Sequence, residues 1–484
     1  MRTALVAVLS TLVLVASGCG GETAGAGEAG AAELLKTGAL VYWETESDPE
    51  SGQWQQAKEL LERFPDGEKW LAELRKSFEE DSKVTWEEVK GALGDKLAVA
   101  VYARSTTDVN VVGLMNPDDP DKTTELVNRA NAESEPDDRI VVRKVDGWLA
   151  LSNEDASIDA ALKGEGDDAL SGVQRFQDAM EELPDDALSR AYLDVAAALD
   201  VFGGVAPEAT QSFRMLGLDQ IDFAAAWVKA REDGAELAGV LSGEGADKLL
   251  GAADEYSSAL LDLVPADAFA FATFQGQGLT EQFEAFQGNP LYGMALRDFE
   301  QEAGVNLEEL VRLFEGEVAF YAAPGSPVPE LTLLLDADDL AQARQAADRL
   351  LRSLASRAGA EVTEDGDVTT AVFEGFTVNV GTVDSTLVIT TTKDAIARLG
   401  EGEKLADSDR YRNALEAAGA PDQYTGLLYV DLAQTIELIM GFASSSGETV
   451  PSEITRNLDP LRSVVAYAWK DGNLGRSLVF VEIE

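Results

Sequence analysis

The chain repeats itself, and a repeat restricts the fold more than any local pattern does, because both copies must reach the same structure. At a shift of about 221 residues, Val84-Thr85-Trp86-Glu87-Glu88-Val89 lies against Val305-Asn306-Leu307-Glu308-Glu309-Leu310. The match continues from Leu93 onto Phe314 and from Leu97-Ala98-Val99 onto Val318-Ala319-Phe320, and upstream Phe78 meets Phe299. After one residue of slippage, Asn116-Pro117-Asp118-Asp119 meets Asp336-Ala337-Asp338-Asp339. Beyond an insertion in the second copy, Gly164-Glu165-Gly166 meets Gly400-Glu401-Gly402, and Arg175-Phe176 meets Arg410-Tyr411. Tyr192-Leu193-Asp194-Val195 then meets Tyr429-Val430-Asp431-Leu432, and the run Phe223 to Trp227 meets Val465 to Trp469. This order predicts two copies of one domain, at residues 36–245 and 262–484, joined by an amphipathic linking helix over residues 246–261.

Local patterns set the class of each copy. A short strand rich in aromatic residues opens it, Leu40 to Trp43 or Phe269 to Phe271. Helices follow, with Trp54, Ala57, Leu61 and Phe64 on one face and Trp70, Leu74 and Phe78 on another. The runs Leu97 to Tyr102 and Val109 to Met115 read as paired strands. Asp146-Gly147 between Ile140-Val141-Val142 and Trp148 to Leu151 reads as a hairpin turn with two positive φ angles. The second copy expands this region, with three or four strands between Val362 and Thr392. Strands grouped in hairpins with helices between the groups predict an α+β class: two tandem copies of a mostly antiparallel sheet covered on one face by helices.

Residues 1–18 carry Arg2, the apolar run Ala4 to Val15, and small residues before Cys19, the layout of a cleaved secretory signal. Val15-Ala16-Ser17-Gly18-Cys19 resembles the lipobox of bacterial lipoproteins, which implies lipidation of Cys19 and cleavage before it. Two or three acyl chains are enough for stable membrane residence. Residues 19–35 then form a tether rich in glycine and alanine. The expected location is extracytoplasmic, anchored to the cell membrane by lipid, with either membrane of a two-membrane cell open.

Charge and composition remove whole classes of function. The 88 acidic residues against 38 basic ones give a formal net charge of -50, which disfavours nucleic acid. No histidine occurs in the 484 residues, so mechanisms and zinc sites that need imidazole are excluded. No phosphate-loop or G-x-S-x-G string appears, and no cofactor is expected.

The helix from Trp54 leading into Phe64-Pro65-Asp66-Gly67, the segment Trp86 to Gly94 running into the Leu97 strand, and the strand Tyr192-Leu193-Asp194 together resemble the domain of unknown function 3352. That is a set of bacterial envelope proteins. The resemblance covers nearly all of residues 36–484 and implies an architecture without an activity, a ligand or a catalytic residue.

Four polar or aromatic features are candidates for a site. The acidic loops Asp118-Asp119 and Asp336, Asp338 and Asp339 offer oxygen ligands for Ca²⁺, or else caps for the helices that begin there. Arg175 and Arg410 offer an anion clamp, or neutralise nearby carboxylates. Asp194 and Asp431 offer a buried acid or base, or close a strand and cap the next helix. Trp54, Trp70, Trp86 and Trp148 offer a platform if exposed, but their phase predicts core. The reading these features support is a non-catalytic lipoprotein that binds a protein or envelope component. A carrier of a small apolar or cationic ligand comes second and a carboxylate-based hydrolase third.

Overall fold

The computed structural model describes residues 30–82, 84–164, 166–203, 214, 217–249, 254–277, 306–325, 328–445 and 450–484, with positions 283, 293, 296, 297 and 300. Cys19, the signal segment, most of the tether and Phe299 lie outside the described residues. Among them, eighteen strands form one antiparallel sheet. The class is α+β.

In the first half, β1 (Val41–Glu46) lies between β2 (Lys96–Ser105) and β6 (Ser189–Asp194). On one side β2 continues to β3 (Asp108–Met115), then β5 (Trp148–Ser152) and β4 (Val141–Val145). On the other, β6 continues to β7 (Phe223–Arg231) and β8 (Gly234–Ser242). In the second half, β9 (Ala270–Gln275) lies between β10 (Glu317–Ala323) and β16 (Gly426–Asp431). There β10 continues to β11 (Glu330–Asp336), β15 (Thr386–Thr390), β14 (Phe376–Val383), β13 (Val368–Phe373) and β12 (Glu361–Asp365). On the opposite side, β16 continues to β17 (Leu461–Asp471) and β18 (Leu474–Ile483). The order of pairing in the first half recurs in the second, with β12 and β13 added at the far edge.

The halves join strand to strand, β8 against β18. Ala238 pairs with Leu478, Ser242 with Leu474 and Gly234 with Glu482. Exchanging Gly234 for Leu474 and Ser242 for Glu482 maps this register onto itself, so a pseudo-two-fold axis passes through the Ala238–Leu478 pair. Gly234 is required at its end of the seam: a Cβ there would stand 2.1 Å from the Val481 carbonyl oxygen.

Successive residues of a strand face opposite sides of a sheet, and the two sides are treated differently here. One side, the packed face, is sealed along its length by a single core. In the first half Phe176 stands edge-on between Tyr42 and Tyr192, both ring pairs 5.2 Å apart. In the second Tyr411 stands edge-on to Phe271 and Tyr429. Trp227, Ala238, Val240, Leu478 and Phe480 carry the same core across the seam. The other side is covered by helix-borne residues at its two ends and beside the seam, where Leu60 of the helix Gly52–Glu62 packs with Ala57 and Phe64 over Ala230, Val481 and Ile483. Trp54, Phe78, Trp86 and Val89 pack over Leu97, Met115, Leu149 and Leu151 at one end. Leu313, Ala343, Ala347 and Leu351 pack over Val318, Leu335 and Leu387 at the other.

Three expectations change. Residues 31–35, expected as the end of the tether, instead form the helical turn Ala31–Leu34 and a bridge from Leu35 to Leu162, because Ala31, Leu34 and Leu35 are apolar and buried in the core. Trp70 is 41% exposed rather than core, touching Phe64 at 5.8 Å between ring centres. Its helix, Gly67–Ser82, presents that face past the edge of the cluster, where a helical period alone cannot say which turn runs out of sheet. The segment joining the halves is not one helix. Glu244–Leu249 is helical, Tyr256 then pairs as an isolated bridge with Tyr424, and Leu260–Leu263 forms a short 3-10 turn. Tyr256 is drawn out of helical phase because its ring meets Tyr424 and its hydroxyl reaches Thr273 at 2.8 Å.

Candidate functional site

Directly paired residues of an antiparallel sheet share a face, so the register identifies what lies between the two covered ends. Across the middle of the second side runs Val228–Leu237–Val479–Ala466–Leu428–Ala272–Phe320–Leu333, one residue from each of eight neighbouring strands. One row over lies Ala226–Gly239–Ser477–Ala468–Gly426–Phe274, and on the opposite flank Ala235–Val481–Val464–Val430–Ala270–Ala322. None of these positions holds a carboxylate.

This surface is open. Leu237 is 54% exposed, and Val228, Leu428, Phe274 and Phe320 are exposed as well. At about 4.8 Å between strands, the central row runs roughly 34 Å across the sheet, while on the flank Ala322 is buried and Val481 packs against the Leu60 cluster. The largest apolar patch of an ordinary monomer, about 300–600 Å², is often functional. An antiparallel sheet with one face in water ordinarily places polar side chains there. The helix Leu432–Ser445 leaves a second apolar surface, with Ile439 and Phe442 each 60% exposed.

The polar candidates resolve into supports. Asp119 accepts a hydrogen bond from the Lys122 backbone N–H and Asp339 from that of Gln342, both at 3.0 Å, at the starts of the helices Pro120–Glu133 and Leu340–Ala358. Asp336, Asp338 and Asp339 border a depression of about 470 Å³ shared with Glu308, Arg312 and Gln342. Among the described residues no three His, Cys, Asp or Glu side chains gather as a metal site.

Asp194 and Asp431 occupy matching places. Asp194 accepts from Arg175 Nη1 and from the Ala197 N–H, both at 2.9 Å. Asp431 accepts from Arg410 and, at 2.8 Å, from the Gln434 N–H. Each carboxylate closes a strand, caps a helix and holds an arginine. Burial, followed by the neighbouring aspartate charge, raises the phenol pKa of Tyr192 and of Tyr429. Trp54, Trp86 and Trp148 are buried and offer no platform.

A family model described as a protein of unknown function, the domain of unknown function 3352, matches residues 118–483. The chain belongs to that family. The match runs from the helix before β4 to the last strand, so the domain of unknown function 3352 takes in both sides of the β8–β18 seam. No curated protein matches the chain. Two crystal forms of TP0453, I and III, give TM-scores of 0.23 and 0.24 at 14% and 16% identity. They cover 46% of this chain and 78% and 80% of that one. So slight a likeness defines no shared fold.

Sequence reasoning missed the open face, although its signal is present. Phe223-Ala224-Ala225-Ala226-Trp227-Val228 and Val464-Val465-Ala466-Tyr467-Ala468 are apolar at every position. In an antiparallel strand a run without alternation means that both faces avoid water.

Proposed function

We propose that this protein is an exported, non-catalytic binding protein, tethered to a membrane through acyl chains on Cys19, that engages an envelope partner with the open middle of its sheet. The observation that carries the proposal is the row from Val228 to Leu333: apolar across eight strands, free of carboxylates in a chain of net charge -50, and exposed at Val228, Leu237, Leu428 and Phe320. Apolar surface left in water costs about 25 cal/mol per Å² relative to burial, so a partner that covers it gains a driving force without rearranging the fold.

Two features favour binding over catalysis or carriage. The carboxylates repeated in both halves are committed to arginines and helix N–H groups. Depressions of about 470, 600 and 730 Å³ are each lined by several charged side chains, which suits no apolar cargo. Among the described residues no helix is long and apolar enough to cross a membrane, and the lipid on Cys19 supplies the attachment in this reading.

The test is photo-crosslinking in intact cells from a benzophenone side chain at Leu428, with Leu354, 46% exposed on the helix Leu340–Ala358, as control. A discrete adduct from Leu428 and none from Leu354 is expected, together with incorporation of a labelled fatty acid that Cys19→Ala abolishes. Equal or absent adducts at the two positions, or a fatty-acid label that is absent from the parent or persists in Cys19→Ala, would overturn the proposal.

A further inference from the structure

The open face has a surrounding charge pattern that selects its occupant. Its centre carries no carboxylate, while the chain has 88 acidic against 38 basic residues. Acidic side chains begin where the strands end. Glu232 is exposed at the turn between β7 and β8, and Asp471, paired with Arg476 at 3.1 Å, at the turn between β17 and β18, where Lys470 ends the same face. Asp422 is exposed just before β16, close to that second turn. The two turns lie at opposite ends of the seam, because β8 and β18 run antiparallel. Partner surfaces are arranged so that their potentials are complementary.

Three occupants can cover such a face. A second copy would bring another -50 against this one and set acidic rim against acidic rim, which costs free energy at close range. A bilayer with anionic headgroups meets the same repulsion. A protein surface that is apolar in the middle and edged with lysine or arginine meets none. We infer that the open face docks a basic, amphipathic protein segment whose apolar side lies across β7, β8, β18, β17 and β16 and whose cations meet the exposed acids Glu232 and Asp422. This rests on the functional proposal above and adds the chemistry of the partner.

The full chain carrying Cys19→Ser has no other cysteine, so Ser477→Cys, on the exposed row beside Leu237, places one polarity-sensitive dye on the face. The probes are three synthetic fourteen-residue amphipathic helices of leucine with lysine, with serine and with glutamate, and vesicles of zwitterionic or partly anionic lipid. The leucine–lysine peptide is expected to shift the dye to the blue, about tenfold or more tightly than the leucine–serine peptide. That affinity is expected to fall as salt rises and to weaken about tenfold with Leu428→Asp.

Indifference to peptide charge, an unchanged affinity in Leu428→Asp, or a larger shift with vesicles would overturn the assignment. Sedimentation showing a dimer that Leu428→Asp dissolves would also overturn it, in favour of a second copy. Failure here alongside a specific crosslink from Leu428 in cells would leave the face as the site and remove only the basic partner. Loss of the crosslink would remove the functional reading itself.

Discussion

Asp194 and Asp431 show how one residue can hold two elements. Each ends a central strand and accepts both an arginine side chain and the N–H that opens the next helix. Asp431 is 4% exposed, so Asp431→Ala leaves Arg410 with Gln434 and the Ala266 carbonyl but no carboxylate, and the helix without its cap, an expected cost of about 1–3 kcal/mol in urea unfolding. Asp431→Asn keeps the cap and is expected to cost less. Dye-reported peptide binding should be unchanged in both, because the side chain lies on the packed face. The tyrosines of that core give a second test. Burial raises the phenols of Tyr42, Tyr102, Tyr192, Tyr256, Tyr321, Tyr411 and Tyr429, and takes those of Tyr424 and Tyr467 up to about 12. The folded state therefore holds these protons more tightly than the unfolded state, whose phenols titrate near 10. Their contribution is complete below the unfolded value and is lost as pH rises through the folded ones. Phenolate absorbance is expected to appear together with loss of far-ultraviolet circular dichroism above about pH 10; ionisation of these phenols well before unfolding would contradict the packing.

At the scale of elements, the acidic loops are helix starts. Asp339→Ala is expected to cost about 1 kcal/mol, measured by chemical denaturation, while millimolar Ca²⁺ leaves the melting temperature unchanged. A rise in melting temperature with Ca²⁺ that Asp339→Ala abolishes would make the loop a metal site instead. Elements with local chemistry were legible in the sequence. Asp146 and Gly147 have positive φ, as the hairpin turn requires. Four strands fill Glu361 to Thr390 where three or four were expected. The helix after Asp194 begins at Val195. Elements set by distant contacts were not. Tyr256 reads as part of an amphipathic helix until its pairing with Tyr424, far along the chain, is known. The run Phe223 to Trp227 was matched to Val465 to Trp469, yet Tyr192 pairs with Ala225 and Tyr429 with Val465, so Ala225 and Val465 are the equivalent positions. A shift by two residues keeps the same face inward, which is why side-chain patterning alone did not detect it.

The whole molecule is one sheet with two unlike sides, and its seam couples the halves. One core passes from Trp227 and Val240 to Leu478 and Phe480, so thermal unfolding is expected as a single cooperative transition. Gly234→Ala drives a Cβ toward the Val481 carbonyl and is expected to cost about 2 kcal/mol or more, whereas Gly239→Ala, with 3.5 Å to its nearest neighbour, should stay within about 1 kcal/mol of the parent. Equal effects at the two glycines, seen in urea unfolding, would contradict the seam. The repeat pointed to two similar halves, but it could not show that their last strands pair, because that contact is absent from either copy alone. The candidate site was hidden for the same reason: the row from Val228 to Leu333 exists only once β8 lies beside β18. The most direct test is maleimide labelling of Leu237→Cys and Leu428→Cys, compared between the intact envelope and the purified protein, with Leu354→Cys as reference. Both face positions should label freely in the purified protein and be protected in the envelope while Leu354→Cys labels in each; face positions that label equally in both settings would contradict the account.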